Sequence, residues 1–172
     1  MANKIRPHGI RSIKAFGTDD EFFSPIETTK DYEAFYPATF SPWKRHNLFV
    51  DKYGDRGLLL GTVQPDGYDI LKYCVENKAN VMLGYYEVDF IRALLNKAKK
   101  VDITGWEGSG RTVLEALSCG VPVEVHPDNH KAYSYIEEWK SSGLEPREFI
   151  LEYYSAENYA KNLLKGIESV SM

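Results

Sequence analysis

The hydrophobic positions of this chain fall into short apolar runs that alternate with amphipathic segments. Short apolar runs predict strands, and apolar residues three or four positions apart predict helices. The predicted strands cover residues 32–40, 57–63, 80–84, 100–104, 121–125 and 149–153. The predicted helices cover residues 43–52, 68–77, 88–99, 110–119, 130–141 and 156–169. This alternation is typical of an α/β fold with a three-layer, doubly wound parallel sheet, Rossmann-like in its arrangement.

The regular alternation begins near residue 31, and the stretch before it follows neither pattern. Pro7 and Gly9 interrupt its beginning and favour irregular backbone. We therefore predict that residues 1–30 are an N-terminal extension and that residues 31–172 form one Rossmann-like domain. At 172 residues the chain is long enough to bury one substantial hydrophobic core.

Composition and charge narrow the range of functions. The chain has 43% hydrophobic and 27% charged residues with a formal net charge of -4. These values are ordinary for a globular protein, and the negative charge is unfavourable for binding the phosphates of a nucleic acid. There is no signal-peptide pattern and no apolar run long enough to span a bilayer. We therefore predict a cytoplasmic protein with no integral membrane segment and no nucleic-acid partner.

The strongest chemical signal lies in residues 101–125, where a strand, a glycine-rich turn, a helix and a second strand follow one another. A helix that begins at glycines presents free backbone N–H groups and the positive end of its dipole, which suits a phosphate. Glu115 would lie roughly 9 Å along that helix, within reach of ribose hydroxyls, and Glu107 would face the other end of the ligand. The spacing alone means little, because Glu137 and Glu145 have the same separation. The glycine turn and the Gly-Val-Pro-Val run after the helix carry the interpretation.

Residues 107–123 resemble the signature of retaining GT-B glycosyltransferases, in particular the family 4-like, group 1 enzymes. The shared pattern is Glu-Gly-x-Gly, a second glutamate on the following helix, and Ala-x-x-x-Gly-x-Pro-Val. The resemblance implies the C-terminal half of a GT-B fold, with Glu107 as the catalytic residue at the donor sugar and Glu115 at the nucleotide ribose. The other donor contacts that it implies in this segment are Gly108, Ser109, Gly110, Arg111 and Thr112.

Two further stretches extend the resemblance over most of the chain. Residues 13–25 are similar to the hinge between the two GT-B domains, and the next predicted strand with its loop resembles the start of the donor domain. Lys44 matches a lysine that clamps the diphosphate in that family, so we predict it as a donor contact. Thr39 stands where the family often has an arginine. Arg45 or Arg111 is a candidate to replace that arginine.

Other side chains near the predicted ligand edge have competing interpretations. Tyr85, after the third strand, is a candidate to border the nucleotide base, although packing or plain exposure is more common for such a tyrosine. His126, Asp128 and His130 alternate in a way that suggests metal ligands, but Asp128 or Asn129 can simply cap the next helix. We therefore predict Tyr85 as a donor contact and expect no metal and no other cofactor.

The resemblance implies the donor domain of a hexosyltransferase-like enzyme of polysaccharide biosynthesis, with an NDP-sugar as substrate. Because the acceptor of a GT-B enzyme binds largely to the first domain, we expect an N-terminal acceptor-binding domain or a partner chain to complete the site. A cytoplasmic location, peripheral at a membrane through that partner or a lipid-linked acceptor, fits this role. One alternative is a non-catalytic sugar-nucleotide-binding or assembly subunit. Another is different chemistry on the same fold, such as a nucleotide-sugar epimerase or a glycan phosphorylase.

Overall fold

Five parallel strands form one sheet in the computed structural model, which describes residues 17–106 and 110–171, with side chains as far as residue 168. The strands are β1 (Ala34–Pro37), β2 (Gly57–Gly61), β3 (Asn80–Leu83), β4 (Val101–Ile103) and β5 (Val123–Val125). Their order across the sheet is β3-β2-β1-β4-β5. Phe35 of β1 aligns with Leu58 of β2 on one side and with Val101 of β4 on the other. The central strand is therefore the first one in the described chain.

The α-helices alternate with the strands as far as β5 and then follow one another. They are α1 (His46–Tyr53), α2 (Tyr68–Glu76), α3 (Val88–Lys97), α4 (Arg111–Ser118), α5 (His130–Ser142), α6 (Pro146–Tyr153) and α7 (Ala156–Ser171). Short 3-10 turns occupy Pro42–Lys44 and Gly54–Arg56. Each predicted helix is present, with ends that differ by a few residues from the predicted ones.

The apolar run at residues 149–153 is helical, so the prediction of a sixth strand there was wrong. Pro146 occupies the first turn of α6, where its fixed φ favours a helix and its missing N–H is not needed. Glu145 and Glu148 form a capping box, in which the Glu148 carboxylate accepts from the Glu145 N–H at 3.2 Å. Phe149 is buried in the core. The helix-start residues therefore outweigh the strand propensity of the apolar residues that follow.

The order of the strands places the helices in two layers. From β1 the chain moves outward to β2 and β3, and then returns past β1 to β4 and β5. Since crossovers between parallel strands are right-handed, the two directions of travel put their helices on opposite faces of the sheet. Accordingly, α1 packs against α2, whereas α4 packs against α5 and α6. The predicted three-layer, doubly wound, Rossmann-like α/β fold is confirmed.

The core lies between the sheet and both helix layers. Leu58, Leu59 and Leu60 are consecutive residues of β2 and all three are buried, as expected for a parallel strand covered on both faces. The ordered strands are shorter than predicted. Beyond β1, Tyr32 and Phe40 make only isolated bridges, to Ala98 and Val63.

The segment at residues 17–25 packs against the carboxyl half of the chain. The guanidinium of Arg147 on α6 donates to the carbonyls of Ser118, Phe23 and Asp20 at 2.7, 3.2 and 3.2 Å. The Thr18 N–H donates to the Tyr154 carbonyl at 2.9 Å. These bonds place the segment beside α4 and the start of α7. Within the described residues, every helix is too short or too polar to cross a bilayer.

Candidate functional site

The candidate site lies where the chain reverses its direction of travel across the sheet, between β1 and β4. At such a point the loops after the two strands diverge and leave a crevice at the carboxyl edge. The β1–α1 loop contains Lys44, and the β4–α4 loop leads to Gly110. The hydrogen bonds of these two loops show that they meet at this edge.

The β1–α1 loop is folded back by a left-handed residue. Arg45 has φ of 51° and precedes α1 directly. The Lys44 carbonyl accepts from the Tyr36 hydroxyl and from the Thr104 hydroxyl, both at 3.2 Å. Thr104 also donates to the Arg45 carbonyl at 3.1 Å. The polypeptide around Lys44 is therefore held between β1 and the end of β4.

The two loops then touch along the backbone. The Trp106 N–H donates to the Trp43 carbonyl at 3.0 Å, and the Lys44 ammonium donates to the Trp106 carbonyl at 2.7 Å. A Cβ on Gly105 would lie 2.2 Å from the Lys44 Cα, so only glycine allows this approach. Asn129 closes the loop from the other side by donating to the Gly105 carbonyl at 2.8 Å.

Lys44 thus places a cation against the part of the β4–α4 loop that leads into the predicted sugar-binding turn. The predicted turn residues Glu107, Gly108 and Ser109 lie outside the described residues. The next described residue is Gly110, which immediately precedes α4.

The start of α4 is defined by Gly110. Gly110 adopts φ of 72°, and a Cβ there would lie 2.5 Å from a ring carbon of Tyr135, so the position requires glycine on two grounds. Gly110 has no side chain with which to cap this helix start, and the first turn contains no acidic residue. Arg111 is exposed and Thr112 is half-buried. Backbone N–H groups at such a helix start are suited to binding phosphate.

Glu115 lies one helical turn beyond Arg111, about 6 Å along the axis. The Arg111 Nε donates to the Glu115 Oε1 at 2.5 Å. The Arg111 side chain is 68% exposed, whereas that of Glu115 is only 11% exposed. Burial raises the pKa of Glu115, and the Arg111 guanidinium opposes that rise. The pair is therefore a buried carboxylate with its cation on the solvent side.

Arg111 and Glu115 line a cleft of about 500 Å³. Its other lining residues come from the segment before β1 and from α7: Gly17, Thr18, Asp19, Phe23, Ala156 and Tyr159. The sequence analysis placed Asp19 in the hinge-like segment at residues 13–25, and the structure makes Gly17, Thr18 and Asp19 one wall of this cleft. No local pattern could reveal that, because the wall and α4 are brought together by contacts about a hundred residues apart along the chain.

Tyr85 belongs to a different concavity at the same edge of the sheet. This second hollow, of about 210 Å³, is formed by the loops after β1, β2 and β3, and Thr39, Thr62 and Gly84 contribute to it. Tyr85 is 95% exposed at its rim. The Thr39 and Thr62 hydroxyls are 3.2 Å apart and share a hydrogen bond. Tyr85 is therefore not brought together with Arg111 and Glu115.

Arg45 and the loop after β5 form a separate polar cluster. The Arg45 guanidinium pairs with Asp128 at 3.1 Å and donates to the His126 Nδ1 at 3.3 Å. Asn129 caps α5 by accepting from the Ala132 N–H at 3.3 Å, as predicted. Over residues 17–106 and 110–171, no group of three or more His, Cys, Asp or Glu side chains is arranged to hold a metal ion.

Comparison with known proteins supports the fold through structural similarity and not through sequence similarity. Neither a protein-family model nor a curated protein sequence matches the chain. The structure is similar to the C-terminal domain of a glycosyl transferase group 1 family protein (LpcC) from Francisella tularensis. That match has a TM-score of 0.60 and 15% identity, and it covers 81% of this chain and 100% of the other.

Two longer proteins, one of them described as a glycosyltransferase, match as well. AviGT4, which is involved in avilamycin A biosynthesis, has a TM-score of 0.64 at 16% identity, over 87% of this chain and 55% of its own. TarM of S. aureus, in a complex with fondaparinux, alpha-GlcNAc-glycerol and UDP, has a TM-score of 0.63 at 20% identity, over 96% of this chain and 41% of its own. This chain therefore spans about half of those proteins. Its fold is that of the C-terminal domains of GT-B glycosyltransferases.

Proposed function

We propose that this chain is the nucleotide-sugar binding domain of a retaining, hexosyltransferase-like glycosyltransferase, which transfers a sugar from an NDP-sugar to a glycan or lipid acceptor. The observation that carries the proposal is the buried Glu115 carboxylate, which lines a cleft on the helix that begins after Gly110. That helix start lies at the switch point of a fold shared with glycosyltransferase domains. A carboxylate in such a place is suited to accept hydrogen bonds from ribose hydroxyls.

The diphosphate would bind between α4 and the β1–α1 loop. The N–H groups at the start of α4 and the Lys44 ammonium would share its negative charge. Glu115, about 6 Å further along α4, would accept from the ribose. The same N–H groups and the Lys44 ammonium would stabilise the nucleoside diphosphate as it leaves the sugar, so this proposal assigns no step to a metal.

The role of Glu107 rests on the sequence resemblance. In this proposal it positions the donor sugar as the bond to the diphosphate breaks, and the sugar keeps its anomeric configuration. Tyr85 borders the donor at the second hollow. An acceptor-binding domain or a partner chain would close the other side of the cleft and exclude water. We place the reaction in the cytoplasm, at the membrane surface when the acceptor is a lipid.

Calorimetry with nucleoside diphosphates tests the donor site directly. We expect the wild-type chain to bind one of UDP, GDP and ADP, and the matching NDP-sugar. Glu115→Gln should weaken that binding about tenfold or more, because hydrogen bonds to a charged acceptor are worth about 1.5–3 kcal/mol. Glu137→Gln, which neutralises an exposed glutamate of α5, is the matched control. Equal affinity of the wild type and Glu115→Gln would refute the ribose role, and no binding of any of these ligands would refute the donor site.

The second candidate is a non-catalytic subunit that binds a sugar nucleotide. Thr39 favours it, because its hydroxyl bonds to Thr62 in the second hollow at a position where the family often has an arginine. Measuring sugar transfer and donor hydrolysis with the acceptor-binding partner present separates the two candidates. Donor binding without turnover would favour the subunit.

A further inference from the structure

The ion pair between Arg111 and Glu115 affects which ligands bind at the site. This inference rests on the proposed function. Arg111 is the first residue of α4, and its Nε lies 2.5 Å from the Glu115 Oε1. Glu115 is the carboxylate assigned to the ribose. In the free protein, one of its oxygens is therefore already engaged by a guanidinium. A ribose that binds there must compete with Arg111.

The position of Arg111 would also allow its guanidinium to bind a phosphate at the start of α4. It stands at the helix start, where the diphosphate is expected, and most of its side chain is exposed. Guanidinium groups bind phosphate with two parallel hydrogen bonds, and a diphosphate carries more charge than one carboxylate. Rotation of the long side chain is enough to move the cation from Glu115 to a phosphate that binds at the N–H groups of α4.

The charges that face the cleft make this cation important. Its lining contains the carboxylates of Asp19 and Glu115 and the guanidinium of Arg111. Phe23, Ala156 and Tyr159 supply most of the remaining wall. Among the lining residues that the structure describes, loss of Arg111 would leave an anionic ligand facing two carboxylates, one of them deeply buried. The cation is therefore more valuable to a charged ligand than to a neutral one.

We propose that Arg111 is the residue by which this site distinguishes a nucleoside diphosphate from a nucleoside. Its guanidinium pairs with Glu115 in the free protein and transfers to the diphosphate on binding, which releases Glu115 for the ribose. A nucleoside breaks the ion pair and offers Arg111 no anionic group in exchange. A nucleoside diphosphate breaks it and replaces it. Arg111 thus stays paired with Glu115 until a phosphorylated ligand binds.

Calorimetry on the full chain with uridine and UDP tests this exchange, and guanosine with GDP and adenosine with ADP are measured alongside. The measurements are made at pH 8, because burial raises the pKa of Glu115 and alkaline pH favours its ionised form. Arg111→Gln should weaken binding of the diphosphate by about tenfold or more, from the loss of a charge-assisted contact. It should strengthen binding of the nucleoside by about threefold, because the ribose no longer competes for Glu115. Arg111→Lys should restore much of the diphosphate affinity.

Two controls keep the outcome interpretable. Arg56→Gln removes an arginine at the opposite edge of the sheet and should change neither affinity, and thermal melts show that each variant is folded. Opposite effects of Arg111→Gln on nucleoside and diphosphate support the exchange. A loss of affinity that is equal for both ligands, or no change in either, overturns it while leaving the donor site intact. A wild-type chain that binds none of the six ligands overturns the proposed function, and the exchange with it.

Discussion

The buried imidazole of His46 should make the protein sensitive to mild acid. His46 is the first residue of α1 and is 0% exposed, and its ring stacks on Phe40 at 4.4 Å between centroids. The Nε2 must carry the proton, because it lies 3.3 Å from the Ala38 carbonyl, which can only accept. Among the described residues the Nδ1 has no hydrogen-bond partner. A second proton would therefore create a buried charge with nothing to accept from it.

Burial lowers the pKa of His46 from 6.5 to about 4, and the nearby Lys44 charge lowers it further, against the hydrogen bond to Ala38. In the unfolded chain the imidazole takes up a proton near pH 6.5, whereas in the folded chain it does so only near pH 4. The unfolded state thus binds more protons between these values, so the free energy of unfolding falls as the pH decreases through this window. The total loss is ~3 kcal/mol, of which ~2 kcal/mol is reached at pH 5. Above pH 7 the effect is absent.

Urea unfolding followed by tryptophan fluorescence measures this loss at pH 7.5, 6 and 5. Carboxylates also change the stability with pH, but they are common to a wild type and a variant compared at the same pH. His46→Gln keeps an amide donor for the Ala38 carbonyl and removes the titration. It should be less stable than wild type at pH 7.5, and that difference should shrink by ~2 kcal/mol at pH 5. His130→Gln makes the same substitution at an exposed histidine and is the matched control. Parallel curves for the wild type and His46→Gln would refute the reasoning.

Two further substitutions test the loops of the site. Lys44→Met should weaken nucleoside diphosphate binding by roughly tenfold to a hundredfold, the value of a charge-assisted contact. Lys140→Met, on the exposed side of α5, should leave that binding unchanged. Equal calorimetric affinities of the wild type and Lys44→Met would show that Lys44 does not contact the diphosphate. Gly110→Ala should cost about 2–4 kcal/mol of unfolding free energy, from its positive φ and the clash with Tyr135. Gly143→Ala, with a similar φ of 69° and no neighbour within 4 Å, should cost only about 1–2 kcal/mol, and equal losses in urea unfolding would show that the contact with Tyr135 is unimportant.

The periodicity of the sequence predicted the first five strands because each is a local apolar run between turn residues. It was misleading at residues 149–153, where Phe149, Ile150 and the tyrosines after them favour a strand. The signals for a helix were also present, since Glu145, Pro146 and Glu148 form a capping box with proline in the first turn. A short apolar run is compatible with either state, and the residues before it decide which one forms.

Parts of the candidate site that depend on long-range contacts could not be predicted. Asn129 was expected to cap α5, and it does, but its amide also holds the Gly105 carbonyl. Arg45 was a candidate for phosphate binding, and the structure pairs it with Asp128 and His126 instead. These partners are 24 to 83 residues apart, and nothing in the local sequence indicates that they meet.

The phosphate and ribose parts of the site differ in how the fold builds them. The proposed phosphate part consists of a helix start and a lysine, both at strand ends that any parallel sheet brings to one edge, so the sequence motif and the topology are enough to predict that they lie close together. The proposed ribose part depends on how deeply Glu115 is buried, in a cleft that Phe23, Ala156 and Tyr159 also line. Arg147 in turn holds Phe23 and Ser118 together, which fixes the wall of the cleft against α4. A substitution at Arg147 should therefore disturb the environment of Glu115 while leaving the contact between Lys44 and Trp106 unchanged.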